Sequence, residues 1–190
     1  MRDIILASAS QQRYDILKRT GVPFLVEDSR YEENLTLPFA PSELVQHLAE
    51  GKAAAVAARN QDALVIGADT IVVCDWQIFG KQLTPEQARG MLRKLSGKTH
   101  SILTGFVIID TKTQKKIGRA VETKVTFRTL SDEQVDAYVA TGEPLGKAGG
   151  YAIQGDGIQF VEKIEGDMDN VVGLPLAALL EELAKFGVTV

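Results

Sequence analysis

The chain has 190 residues, 45% of them apolar, with 21 basic and 25 acidic residues, a net charge of −4 and an isoelectric point near 5.3. That apolar content suits one domain or two small lobes, and the acidic balance argues against a nucleic-acid polymer or an anionic membrane surface as partner. One cysteine (Cys74) and two histidines (His47, His100) exclude an intrachain disulfide, a cysteine zinc cluster and a histidine metal site; with no signal-peptide pattern and no apolar run long enough to span a bilayer, a soluble cytoplasmic protein is expected.

Arg2–Leu6 predicts a strand, Ala7–Ser10 a tight loop of small residues, and Gln11–Thr20 a helix with Ser10 as N-cap and Gly21 after its end. A helix start offers unpaired N–H groups to an anion, and Ser8, Ser10 and Arg13 stand beside this one. The alternative is that Ser10 only caps and Arg13 only faces solvent. Val22–Val26 predicts a second strand, parallel to the first. Glu27–Pro38 is polar and irregular; its carboxylates either form a solvated face or send one acid inward to a hard metal ion.

Ser42–Arg59 predicts a helix whose apolar stripe is Leu44, Val45, Leu48, Ala55 and Val56. Lys52 falls on that stripe, so it either snorkels to water or is aimed into a site. Asp62–Cys74 is an apolar, β-branched strand signal interrupted by Asp69, a residue type rarely buried without a partner. Function is favoured there over a turn aspartate, since Gly67 and Ala68 leave room for an approaching group. Asp75–Gly80 predicts a short returning strand, with Lys81 just past it.

Capping boxes at Thr84–Gln87 and Ser131–Gln134 open helices ending at Leu95 and Ala140. Between them, Ser101–Asp110 and Lys115–Arg128 predict an antiparallel strand pair. Gly142–Gly157 is glycine-dense and carries Lys147 and Gln154; it either brings backbone close to a ligand or is a chain of turns. Ile158–Ile164 predicts a strand, Gly166–Val172 a loop and Leu174–Phe186 a closing helix. The alternation predicts a mixed, twisted α/β sheet in one domain covering 1–190. Cations with exposed N–H groups suit a polyphosphate, and two acids, Glu33 and Asp69, suit Mg²⁺ or Mn²⁺. Metal-assisted phosphoanhydride hydrolysis is therefore the natural reaction class.

Four segments, Ile5–Arg13, Gly67–Thr70, Leu95–His100 and Gly142–Gly155, together with Val171–Leu176, resemble the Maf family of nucleoside-triphosphate pyrophosphatases in the right order over nearly the whole chain. The resemblance implies the elongated, two-lobed α/β fold of inosine-triphosphate pyrophosphatases, with a central cleft. It also implies cleavage of a nucleoside triphosphate to monophosphate and pyrophosphate with a divalent metal, and it allows a homodimer. It assigns Asp69 as proton acceptor and Ser8, Arg13, Glu33, Lys52 and Lys81 to phosphate and metal handling, with Glu33 and Asp69 on the metal. Ser10 and Lys147 join the substrate-binding set. Thr70 and Gln154 match the positions tied to base choice as they stand in the dTTP/UTP branch; the 7-methyl-GTP branch has Gln and Glu there. Two positions depart from the pattern. Gln12 stands where the family usually has an arginine linked to base choice, and Gly146 where this branch usually has Asp. The rival expectations are the same chemistry on another base, such as 7-methyl-GTP, a nucleotide-binding regulator of cell division and septum formation, and a purely structural domain.

Overall fold

The computed structural model describes residues 2–188. In chain order they form β1 (Asp3–Leu6), α1 (Gln11–Lys18), β2 (Leu25–Val26), α2 (Pro41–Ala57), β3 (Ala63–Cys74), β4 (Gln77–Phe79), α3 (Pro85–Leu95), β5 (Thr99–Asp110), β6 (Lys116–Phe127), α4 (Asp132–Ala140), β7 (Val161–Glu165), α5 (Met168–Val172) and α6 (Leu176–Ala184). The described strands form a sheet in the order β2-β1-β3-β5-β6-β7, with β4 paired to β3. Both neighbours of β1 run parallel to it, whereas β4 on β3 and β7 on β6 are antiparallel, so the sheet is mixed as expected. No described helix is long and apolar enough to cross a membrane.

The chain packs as two compact units. Of the described residues, the first holds 2–69, Thr104–Val121 and 173–188; the second holds Thr70–Leu103 and Glu122–Val172. In the first, α2 covers the sheet. Ala49, Ala53 and Val56 of the helix bury against Ile5, Val65, Val107 and Ile109 of the strands. Strand side chains alternate between faces, so Val65, Gly67 and Asp69 point the same way, toward α2. The fit at Gly67 is close: a Cβ there would overlap the Ala49 carbonyl oxygen and lie 2.7 Å from the Ala53 nitrogen. Gly105 of β5 does the same under Val45 and Gln46, where a Cβ would lie 2.6 Å from the Val45 carbonyl oxygen. Two side-chain-free positions on two strands therefore let the helix backbone sit directly on the sheet.

The second unit is built on α3 and α4, whose Met91, Leu92, Leu95, Val135 and Tyr138 bury with Val72, Phe127 and Phe160. Both capping boxes form, Thr84 with Gln87 and Ser131 with Gln134. His100 lies among aromatic rings, edge-on to Phe127 with its Nε2 2.9 Å from the Tyr151 hydroxyl.

Several boundaries differ from expectation. The second strand is only Leu25–Val26, where two residues match the register of Ile5 and Leu6. The third strand does not run on into a strand at Asp75: Asp75 and Trp76 both take positive φ (50° and 64°) and form the two-residue turn of the β3–β4 hairpin. Asp156–Phe160 is a 3₁₀ turn, so the seventh strand begins at Val161. The stretch expected as a loop before Gly173 contains α5, and the closing helix is shorter, Leu176–Ala184. Ala55, expected on the stripe of α2, is half-buried; Ala49 and Ala53 are the buried alanines.

Candidate active site

The chain leaves β1 at Leu6 and turns through Ala7–Ser10 into α1. Ser10 caps the helix with its Oγ 3.5 Å from the Arg13 nitrogen, and its own N–H donates to the buried Ser8 Oγ at 3.2 Å. The Ser10 hydroxyl also donates to Gln12 Oε1 at 3.1 Å. Arg13 folds back over this turn: Nη1 lies 3.4 Å from Ser8 Oγ and Nε donates to the Gly173 carbonyl at 2.8 Å. A guanidinium at a helix N-terminus opposes the helix dipole, which leaves Arg13 better suited to an anion or to carboxylates than to solvent.

Carboxylates are nearby. Lys52, on the buried face of α2, ion-pairs with Asp69 of β3 and, at 2.7 Å, with Glu33 of the irregular loop. Lys52 is 6% exposed and Asp69 3%, while the Glu33 side chain retains 29%. Burial raises the Asp69 carboxyl above the ordinary carboxylate range; the charges of Lys52 and Arg13 pull it down, and Glu33 pushes it up again. Burial likewise lowers Arg13, against the pull of Asp69 and Glu33, yet arginine remains charged at any physiological pH. Ser8, Ser10, Gln12, Arg13, Glu33, Lys52 and Asp69 are thus one constellation within the first unit, two cations interleaved with two acids. The snorkelling alternative for Lys52 and the turn alternative for Asp69 are both excluded by this burial and pairing.

The remaining candidates lie in the second unit. Lys81 is bridged antiparallel to Ala148, the Gln82 N–H donates to the Lys147 carbonyl at 3.1 Å, and the Gly146 N–H to the Gln82 carbonyl at 2.7 Å. The glycine-dense segment is therefore zipped along residues 80–82, bringing the Lys81 and Lys147 backbones together. Gly146 has φ +74°, a conformation that glycine adopts more readily than the aspartate usual in this branch. The segment is fastened from within by Glu143, whose carboxylate accepts from Tyr138 Oη (2.8 Å), Asp156 N (3.1 Å) and Gly157 N (3.3 Å). Thr70 directly follows Asp69 on β3 and lines a small cavity with Tyr151 and Ile153; Gln154 is exposed.

Sequence reading missed the Gly173 carbonyl as the acceptor that orients Arg13; its only signal was that Gly173 lies in a matched motif. Among the described residues no group of three or more His, Cys, Asp or Glu side chains is arranged to hold a metal. Glu33 and Asp69 both pair with Lys52, and one or two carboxylates are what Mg²⁺ usually takes from a protein.

An α/β sheet with a buried Lys52–Asp69 ion pair, joined by the more exposed Glu33, stands beside a helix start in the first unit. A family model described as Maf-like protein matches residues 3–186, and the chain belongs to that family. It is 48% identical over 190 residues, all of this chain and 98% of the relative, to a protein of Moorella thermoacetica named dTTP/UTP pyrophosphatase. Proteins of the same name from Pelotomaculum thermopropionicum (45%, all of both chains) and Bacillus cereus (47%, 98% of the relative) are similar over the same 190 residues.

Proposed function

We propose that the protein is a nucleoside-triphosphate pyrophosphatase that hydrolyses dTTP and UTP to the monophosphate and pyrophosphate. The observation that carries this reading is the cluster of buried Lys52 and Asp69 with Glu33, in a chain similar over its whole length to proteins of that name. Asp69, held as an acceptor with a raised pKa, orients a water and takes its proton as the phosphorus–oxygen bond to the leaving pyrophosphate breaks. Lys52 and Arg13 supply positive charge to the phosphate oxygens, with Ser8 and Ser10 as hydroxyl partners. Glu33 and Asp69 are the residues that would hold a divalent cation, Mg²⁺ or Mn²⁺, whose chemistry is to neutralise charge developing on phosphate oxygens.

Lys81 and Lys147 are assigned to the triphosphate and Thr70, Gln154 and Gln12 to the base, on the resemblance of the motifs that contain them. Gln12 replaces a charge by an amide, which still donates to a pyrimidine carbonyl. The reading extends to the cytoplasm, consistent with a single buried cysteine, and to a homodimer.

The test is pyrophosphate and orthophosphate release with Mg²⁺ and then Mn²⁺ across dTTP, UTP, CTP, GTP, 7-methyl-GTP and pseudouridine triphosphate. Pyrophosphate with monophosphate from dTTP and UTP is expected. Activity confined to 7-methyl-GTP overturns the base assignment alone; tight nucleotide binding with no product on any substrate replaces the enzyme by a nucleotide-binding regulator.

A further inference from the structure

The loop from Glu27 to Glu33 has no regular structure, yet it lies along α2 as a strap. At its start, the Glu27 carboxylate accepts from Arg59 Nε at 2.6 Å and from Asn60 Nδ2 at 2.8 Å, just beyond the end of the helix. Arg59 also donates to the Asp28 carbonyl at 3.1 Å. At its end, Glu33 pairs with Lys52. Between them the chain is tightly wound: Asp28 Oδ1 accepts from Arg30 N at 3.0 Å, Ser29 Oγ accepts from Tyr31 N at 3.3 Å, and Arg30 has φ +53°.

Gly51, inside α2 and next to Lys52, is where this strap touches down. A Cβ on Gly51 would fall onto the Tyr31 ring, with Cζ and Cε2 in the way and Oη at 2.8 Å. Glycine is a poor residue for a helix interior, so its presence needs a reason, and the ring in its place is one.

We propose that Tyr31 is a positioning residue for the reaction: seated on Gly51, its ring fixes the loop so that Glu33, two residues on, meets Lys52 and the acid pair with Asp69. This rests on the pyrophosphatase reading in one respect, that Glu33 serves the reaction. Tyr31 itself touches helix backbone and acts only through the placement of Glu33.

The experiment is a set of variants of the full chain, assayed for pyrophosphate release from dTTP and UTP and followed by thermal unfolding and amide hydrogen exchange. In Gly51→Ala the obstructing atoms are the far end of a side chain, so Tyr31 swings away while the helix gains a better helix former. The melting temperature is then expected to hold or rise while kcat falls by roughly tenfold to a hundredfold, the scale of a small misplacement at a reacting centre. Tyr31→Ala lowers kcat similarly and Tyr31→Phe, which keeps the ring, restores it. Exchange speeds up over residues 30–34 and not in α2 or β3. Gly51→Ala in a Glu33→Gln background lowers kcat no further, because the group it misplaces is already gone.

Additive losses from Gly51→Ala and Glu33→Gln overturn the proposal, as does Gly51→Ala with unchanged kcat. Unchanged exchange over 30–34 overturns it whatever the assay reads. A wild-type protein that releases no pyrophosphate fails the functional reading instead. Full turnover in Glu33→Gln leaves that reading standing and removes the role given to Tyr31.

Discussion

Lys52 and Asp69 meet across the α2–β3 interface with almost no exposure to water, and Lys52 is the main charge partner of Asp69. Such a pair is weak evidence for stability, because desolvating two charges offsets most of their attraction. It is better understood as a held reagent: an acceptor whose carboxyl burial pushes up while the charges of Lys52 and Arg13 pull it back down. Asp69→Asn keeps the shape and one oxygen acceptor, but removes the charge and turns the second oxygen into an N–H donor. Nucleotide binding is expected to persist while kcat falls on the order of 10²–10⁴-fold. Binding by isothermal titration beside steady-state kinetics checks this, and near-normal turnover would remove Asp69 from its role.

Lys52→Met tests the other half of the pair, and pH supplies the signature. With the ammonium gone, Asp69 and Glu33 confront each other, and an uncompensated buried charge costs about 3–5 kcal/mol. A carboxylate whose pKa is raised in the folded state is destabilising when ionised and harmless when protonated. The Lys52→Met protein should therefore lie furthest below wild type near pH 8, the gap narrowing as pH falls and Asp69 takes up a proton. Urea unfolding at several pH values gives the answer; a pH-independent difference means that Asp69 does not carry the missing charge.

The pair owes its geometry to Gly67, two residues before Asp69 on the same face of β3. Its missing Cβ lets the α2 backbone rest on the strand, which sets how far Lys52 must reach. Gly67→Ala places a methyl against the Ala49 carbonyl and the Ala53 nitrogen, backbone atoms that cannot swing aside. Overpacking of this kind costs about 1–3 kcal/mol, and turnover should fall as well because the displaced helix carries Lys52. Gly90 of α3, where an added methyl would meet only open space, is the control: Gly90→Ala should be neutral or stabilising. Melting temperature and kcat of the two variants, measured together, distinguish these cases.

How much of this was legible in the sequence depends on the range of the interaction. Ser10 as cap, both capping boxes and the apolar face of α2 follow from local spacing, and all formed, except that Ala55 lies off the buried face. Lys52 and Asp69 were visible as charges in apolar surroundings, although nothing local said that they face each other across 17 positions. The Arg13–Gly173 contact spans 160 positions and involves a main-chain oxygen, which carries no residue signature. The turn at Asp75–Trp76 was illegible for the opposite reason. Its left-handed backbone normally selects Asn or Gly, and a nearly fully exposed tryptophan there runs against local preference.

His100 adds a pH effect independent of the candidate site. It is 2% exposed and its Nε2 faces the Tyr151 hydroxyl, an oxygen whose own ionisation burial pushes upward and which supplies no negative charge. Burial therefore holds the imidazole neutral, its pKa lowered from 6.5 to about 4 against a weak opposing pull from the Lys98 backbone. An unfolded chain protonates this histidine near pH 6.5, so below that value the unfolded state binds more protons and stability falls with pH. The loss runs from about pH 6.5 to about 4 and is complete once the folded form also titrates, reaching on the order of 3 kcal/mol. His100→Gln, which keeps an amide near the Tyr151 hydroxyl but cannot charge, should flatten this slope while lowering stability at pH 8 through lost ring packing on Phe127. Urea midpoints at pH 8, 6 and 4.5 for both proteins decide it: parallel slopes would mean that the acid sensitivity belongs to other groups.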